Sequence, residues 1–269
     1  MKGMQKYYEA FSLGLQSSME YRFDFLLGLI SVIFPLTIQI FLWTGIFSSS
    51  QSGIVYGYTY HQMLSYSVFA ALISKLVSGG VEWEVVADIK NGGLSKYMVK
   101  PIGYLPYRIS CFLGQKSINA LLIFTIICIL LLVLNIYFGF GIGFDHLFIF
   151  VISIILSLVI NFLIYFSLAA IAFWIHEAWG VFVFMGVVVN IVSGGVFPLD
   201  IFGDTLNNIF RLLPFQYTIF FSTNVLNGRL TGQEMIHGLF IQTIWIGIMF
   251  GVTNIIWKLG MKKYIAVGG

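Results

Sequence analysis

No charged residue falls between Asp24 and Lys75, and none from Ser117 to Phe144. A hydrocarbon core of about 30 Å takes about 20 apolar residues in a helix, so each stretch is long enough for at least one crossing. Six candidate spans follow along the chain, at 25–47, 60–79, 117–138, 147–173, 181–196 and 235–257, and the fifth is short for a full crossing. Ahead of them, Met4, Tyr8, Phe11 and Leu15 step by 4, 3 and 4, which places them on one helical face. A basic-tipped amphipathic helix over 1–22 suits a membrane surface; the alternative is an ordinary helix lying against the rest of the protein.

Two segments do not read as spans. Within 80–105, Val81, Val85 and Ile89 are spaced by four, with Glu82, Glu84 and Asp88 on the other sides of a short helix. Asn91-Gly92-Gly93 stops that helix, because glycine readily takes the left-handed conformation at a C-terminal cap. Pro101 and Pro106 are expected to break the return path to the third span. The segment is either a rigid knob or a solvated connector. The second segment, 193–233, is too apolar for a simple loop. Leu206, Ile209, Phe210 and Leu213 share one face of a helix that Pro214 ends, and an aromatic run too short to cross follows. This pattern predicts a hairpin dipping into the membrane, where irregular backbone must be covered by protein or line a cavity; the alternative is a helix lying flat on the surface.

Composition agrees with membrane embedding. The chain is 59% hydrophobic and 9% charged, with a mean hydropathy of +0.93, whereas a soluble domain carries roughly 25% charged residues. A soluble globular reading is excluded. The expected fold is an all-α integral membrane protein, a single domain over 1–269. The first long apolar run is too long for the core of a cleavable signal and lacks a cleavage site, so it reads as a retained span. With the N-terminus on the cytoplasmic side, twelve of the fourteen basic residues lie inside and only Arg211 and Arg229 outside. That bias puts both termini in the cytoplasm and the protein in the cell membrane.

Candidate chemistry is sparse. Gln39, Asn161, Asn190 and Gln242 lie inside four different spans, and Gly186, Asn190 and Ser193 form a small, polar stripe on the fifth. Such residues let helices approach and hydrogen-bond, or they line a pathway. A secondary carrier driven by an ion gradient would want an unmatched charge near the centre of a span, and the sequence offers none. Cys111 and Cys128 read as buried thiols rather than a disulfide framework. His176 and Glu177 are adjacent at a span end, which is not metal-ligand spacing; with Trp174 and Trp179 beside them they read as an interfacial anchor. The phosphate loop G-x-x-x-x-G-K-[ST] is missing. If nucleotide energy is used, another chain must supply it.

The ordered motifs resemble a known family. Asp88-Ile89-Lys90-Asn91-Gly92-Gly93-Leu94 followed by Lys100-Pro101, then Ser193-Gly194-Gly195-Val196-Phe197-Pro198, then Leu213-Pro214-Phe215-Gln216-Tyr217, and finally Asn227-Gly228 are similar to motifs of the permease subunits of ATP-binding-cassette exporters of the second type. The resemblance covers nearly the whole chain. It departs where many relatives carry a large outer domain, which this chain lacks. The resemblance implies a non-catalytic transport subunit working by alternating access, with ATP and Mg on a dimeric ATPase partner. It implies a second permease chain, identical or homologous, within membrane lipid, and no nucleic-acid partner. It places Glu82, Trp83, Glu84, Asp88 and Ile89 at the ATPase contact, with Asp88 and Glu84 favoured for ion pairs. Gly186, Asn190 and Ser193 are expected on the path, between the second and fifth spans, and Phe197 and Phe215 at an outer gate. The uncharged, aromatic interior favours an amphipathic cargo over a sugar or an ion.

Overall fold

The computed structural model describes residues 2–51, 53–139, 143–175 and 179–264. Its helices run α1 (Lys2–Glu20), α2 (Arg22–Ser49), α3 (Tyr60–Val77), α4 (Val81–Lys90), α5 (Ser95–Met98), α6 (Tyr104–Phe138), α7 (Phe144–Ala169), α8 (Trp179–Val192), α9 (Gly203–Arg211), α10 (Phe220–Leu226) and α11 (Gly232–Met261). Among the described residues, five helical stretches are long and apolar enough to cross a membrane: Arg22–Ser49, Tyr60–Lys90, Tyr104–Tyr137, Phe144–Phe173 and Gly232–Met261. The fifth predicted span overlaps α8, whose 14 residues reach about 21 Å at 1.5 Å per residue, less than a bilayer core.

The third predicted span needs correction. Its helix begins at Tyr104 rather than 117 and runs for 35 residues, about 52 Å, so roughly its first third extends beyond a hydrocarbon core. Pro106 does not break this path. It sits in the first helical turn, where amide hydrogens have no intrahelical partner and a proline loses nothing. The connector 48–58 also folds more tightly than its composition suggests. Ile54–Val55 pairs with Tyr58–Thr59 as a minimal antiparallel hairpin, turned by Tyr56 and Gly57 at positive φ. Thr59 then caps α3 in a reciprocal box with Gln62, as Thr231 caps α11 with Glu234.

Helix α1 lies along the start of α6, α2 along α3, and α11 along α7. The α1–α6 contact is set by glycine. A Cβ on Gly14 would sit 2.0 Å from the Cys111 carbonyl oxygen, and one on Gly114 would sit 2.1 Å from that of Phe11. Ala10, Gly14 and Ser18 therefore form the packed face of α1, offset from the stripe that the hydrophobic spacing predicts. Met4 and Tyr8 of that stripe remain exposed, at 81% and 72%. Both cysteines are free thiols.

Between α8 and α11 the chain folds into α9, which buries nothing, and α10, in which every residue from Phe221 to Leu226 is buried. Helix α10 is wedged between α3 and α7. Its Ser222 hydroxyl pairs with those of Ser153 and Ser157, and the Gln242 amide donates to the Tyr217 carbonyl at 2.8 Å. Gln242 thus packs helices together, as does Asn161, whose amide donates to the Val77 carbonyl.

Replacing Gly114 with alanine forces two backbones apart and is expected to destabilise the detergent-solubilised protein by about 1–3 kcal/mol. Gly45, which has no atom within 4 Å of a built Cβ, should tolerate alanine or gain up to about 1 kcal/mol of helix propensity. Thermal melts of the two variants distinguish the cases.

Candidate functional site

Two features stand out, both near one end of the bundle: the helix α4 with its supports, and a polar cavity beside it. Helix α4 begins after Gly80, whose φ of 122° suits glycine alone. Glu82 and Glu84 in its first turn complement the helix dipole, and the Gly80 amide donates to Glu82 at 2.7 Å. At its far end Gly92 takes a left-handed conformation and the Leu94 amide closes onto the Asp88 carbonyl at 3.1 Å. Gly93 is needed for space, since a Cβ there would lie 2.5 Å from an Asp88 carboxylate oxygen.

The apolar spacing places α4 correctly. Val81, Val85 and Ile89 are buried, against the end of α7 and the turn 170–173. The acidic residues are another matter. Arg108, on the first turns of α6, donates to both Glu84 and Asp88. Its Nε donates to the Tyr104 hydroxyl at 3.1 Å, which in turn donates to Asp88 at 2.8 Å. Gln115 donates to the other Glu84 oxygen at 3.1 Å, and Lys96 lies 3.7 Å from Asp88. The Tyr104 ring stacks on Trp257 of α11 at 4.9 Å and 9°, and Trp257 also meets Phe166 and Phe173. One guanidinium thus fastens α4 to α6, and one aromatic stack fastens α6 to α7 and α11.

Of the five residues expected at an ATPase contact, Glu82, Asp88 and Ile89 are buried inside the chain. Asp88 and Glu84, favoured for ion pairs with a partner, both have one within the protein. The accessible surface of α4 belongs to Trp83, which is 43% exposed, with Ala87 and the outer side of Glu84. Trp83 meets Phe182 of α8 edge-on at 5.6 Å. Sequence reasoning missed Tyr104 and Arg108. Their spacing of four, with Gln115 seven further on, marks one polar helical face, but only once α6 is known to begin at Tyr104.

The cavity, about 290 Å³, lies between α3, α7 and α8, with Glu82 on its wall. Gly186, Asn190 and Ser193 all line it, joined by Ser74, Asn161 and Tyr165. The Ser74 hydroxyl donates to the Asn190 side-chain oxygen at 2.8 Å, and that of Ser193 to the Asn190 carbonyl at 3.0 Å. Phe197 and Phe215 do not line it. Phe197 packs edge-on against Trp43 at 6.1 Å, and Phe215 packs against the core beside Pro214. The glycines before Phe197 allow close approach: Gly194 has a φ of 80° and its carbonyl accepts from the Tyr66 hydroxyl at 2.7 Å.

The opposite end of the bundle holds a second ionic group. Asp200 accepts from Tyr58 at 2.8 Å, from Arg229 at 3.3 Å and from Asn207 at 3.2 Å. The Arg229 guanidinium covers the Tyr58 ring at 3.5 Å. Burial first, and then the Asp200 charge, push the Tyr58 phenol above its ordinary range, so the tyrosine keeps its hydrogen and donates. This group ties the 54–59 hairpin to α9 and to the turn before α11. The pair His176–Glu177 lies outside the described residues.

The chain matches the family described as ABC-2 family transporter protein over residues 33–268. No curated protein matches it.

Replacing Arg108 with methionine leaves the buried Asp88 with only the more distant Lys96 and the part-exposed Glu84 with no cation, and is expected to cost about 3 kcal/mol, the low end for a broken buried pair. Adding Asp88→Asn and Glu84→Gln to Arg108→Met should recover most of that loss, as read by thermal denaturation. Equal melting of the single and triple variants would refute the hub.

Proposed function

The chain belongs to the ABC-2 family of transporter proteins, and we propose that it forms the path of an ATP-driven exporter whose engine is a separate ATPase dimer. Membership makes it a multi-pass membrane protein and the transport permease subunit of an ABC transporter, a class that is generally non-catalytic and normally works with an ABC ATPase. The finer reading has α4 as the cytoplasmic coupling helix, six spans with α8 as the short fifth, α1 at the interface, and α9–α10 as a re-entrant outer hairpin. ATP and Mg act on the partner, and a second permease chain, identical or homologous, completes the path.

One observation carries this reading: a short helix presents an exposed tryptophan outward while its inward carboxylates are clamped by Arg108. A helix that only bridged two spans would need neither. Clamped this way, α4 moves as one piece with the start of α6, and the Tyr104–Trp257 stack passes the displacement to α11. Glu82 lies on both α4 and the cavity wall, so displacing α4 alters the cavity directly. The ATPase cleft would grip Trp83, Ala87 and the outer face of Glu84, while Asp88, Ile89 and Glu82 hold the helix from beneath. Gly186, Asn190 and Ser193 line the path; Phe197, Phe215 and the Asp200–Arg229 group close its outer end. Cargo leaves the cell.

A buried tryptophan anchor at an interface commonly contributes 2 kcal/mol or more, so Trp83→Ala should weaken co-purification of the partner ATPase by about 30-fold. The variant should stay folded and lose only about 1 kcal/mol of stability, the worth of the edge-on contact with Phe182. Wild-type recovery of the ATPase with Trp83→Ala would overturn the assignment of α4. The topology has its own test, in a background with Cys111 and Cys128 replaced by serine. Ala87→Cys should react with an impermeant maleimide only in opened cells, and Asn208→Cys in intact cells. The reverse pattern would invert the protein and leave α4 out of reach of any cytosolic engine.

A further inference from the structure

A second cavity of about 330 Å³ opens between α2, α3 and α8. At one end of it lies Lys75, whose ammonium reaches across to α2. A Cβ built on Gly28 would lie 2.4 Å from Lys75 Nζ, so the ammonium rests directly against the α2 backbone. Among the described residues that ammonium has neither an ion pair nor a hydrogen-bond partner. Two further charged groups lie nearby, one of each sign. Lys116 lies within electrostatic reach and donates to the Ser78 carbonyl at 2.6 Å, and the neighbouring carboxylate, Glu82, is bonded to the Gly80 amide.

Val32, Pro35, Leu36, Ala71 and Val196 give the groove an apolar wall, and polar groups interrupt it. Pro35 also leaves the Ser31 carbonyl, another lining residue, without its donor four residues on. Further along, the Gln39 Oε1 acceptor is buried with no hydrogen-bond partner. Ser74, Ser78 and Asn190 line both this groove and the polar cavity beside it. The Ser74–Asn190 hydrogen bond, at 2.8 Å, is therefore a partition that one rotamer change removes.

Resting on the permease reading, we infer that this groove is a lateral binding site for an amphiphile with an anionic headgroup. The headgroup sits on Lys75, and the apolar body runs along Val32, Leu36 and Val196. An unpaired cation at one end of an apolar groove fits this chemistry and no neutral sugar. Gly28 lies in the second turn of α2, the helix that Arg22 and Asp24 begin, so Lys75 sits at the depth where inner-leaflet headgroups meet acyl chains. From there, parting Ser74 from Asn190 joins the headgroup to the path while the tail stays on the lipid side.

The test uses the purified full-length chain in a neutral detergent, titrated with short-chain phosphatidylglycerol, phosphatidylcholine or inorganic phosphate. Wild-type protein should prefer phosphatidylglycerol. Lys75→Gln should weaken that binding by about fivefold, the factor one basic residue contributes at a membrane surface, and bring it near the phosphatidylcholine value. Lys75→Arg should retain the preference, and Lys258→Gln, on α11 and lining neither cavity, should change nothing. Full phosphatidylglycerol binding by Lys75→Gln, or an equal loss in Lys258→Gln, would overturn the site. Inorganic phosphate binding as tightly as the lipid would overturn the amphiphile. Co-purification of the ATPase with wild-type protein is scored separately: its failure strikes the permease reading, whereas the lipid titrations judge the groove alone.

Discussion

Arg108 holds α4 in place, and the geometry of the candidate site depends on that pairing. Its guanidinium meets Glu84, Asp88 and the Tyr104 hydroxyl at once. Both Arg108 and Asp88 have side chains only 11% exposed. Burying two charges costs several kcal/mol each before their attraction is counted, and an apolar replacement of similar volume is often as stable. The ionic arrangement supplies direction. A planar fork with fixed donor angles fixes the axis of α4 relative to α6, where a greasy contact would let a ten-residue helix slide. Under the proposed coupling role, resistance to sliding matters more than stability.

The same logic explains the glycines at the packed joints. Gly14 and Gly114 let α1 lie against α6 at backbone contact, and Gly238 and Gly260 of α11 leave room for the rings of Phe221 and Phe173. Lipid tails are as apolar as leucine, so helices inside a bilayer gain from close van der Waals approach and interhelical hydrogen bonds rather than from hydrophobic burial. Gln242 with Ser153, Ser157 and Ser222, and Asn161 with the Val77 carbonyl, are the hydrogen-bonding half of that arrangement. Helix α2 has neither kind of contact in quantity; its most apolar window buries nothing within the chain. It is the span best placed to give way beside the groove that it borders.

The helices were legible because long uncharged runs leave few alternatives, and the face of α4 was legible because Val81, Val85 and Ile89 keep a period of four. The start of α6 was not. Prolines at 101 and 106 look alike in a sequence, yet one lies before the helix and the other inside its first turn, and only tertiary support from α1 and α4 decides where that turn begins. The partners of the acidic residues were hidden for the same reason. Asp88 and Glu84 lie 20 and 24 residues from Arg108, so no local spacing joins them, and an acidic helix at a surface reads as a docking face until its counter-ion is found. Gly186, Asn190 and Ser193 could be grouped from their steps of 4 and 3 alone. Ser74 and Asn161, which complete the cavity, sit on other helices and carry no local signal.

The Gln242 amide nitrogen, Asn161 and Ser222 are hydrogen-bonded to neighbouring helices, whereas the groove beside α2 sets bonded polar groups, Ser74, Ser78 and Asn190, next to wanting ones. Among the described residues Lys75 Nζ and the Gln39 oxygen lack partners there, and Pro35 withholds an amide from the same wall. Unsatisfied polar groups at membrane depth are costly. They are tolerable where water, a headgroup or a cargo completes them for part of a cycle. Ser74 and Asn190 satisfy each other across the boundary with the next cavity, so on the proposed lipid route one hydrogen bond would be exchanged for another. On the proposed permease reading α4, which contributes Glu82 to that neighbouring cavity, lies where a force applied outside the membrane can change it.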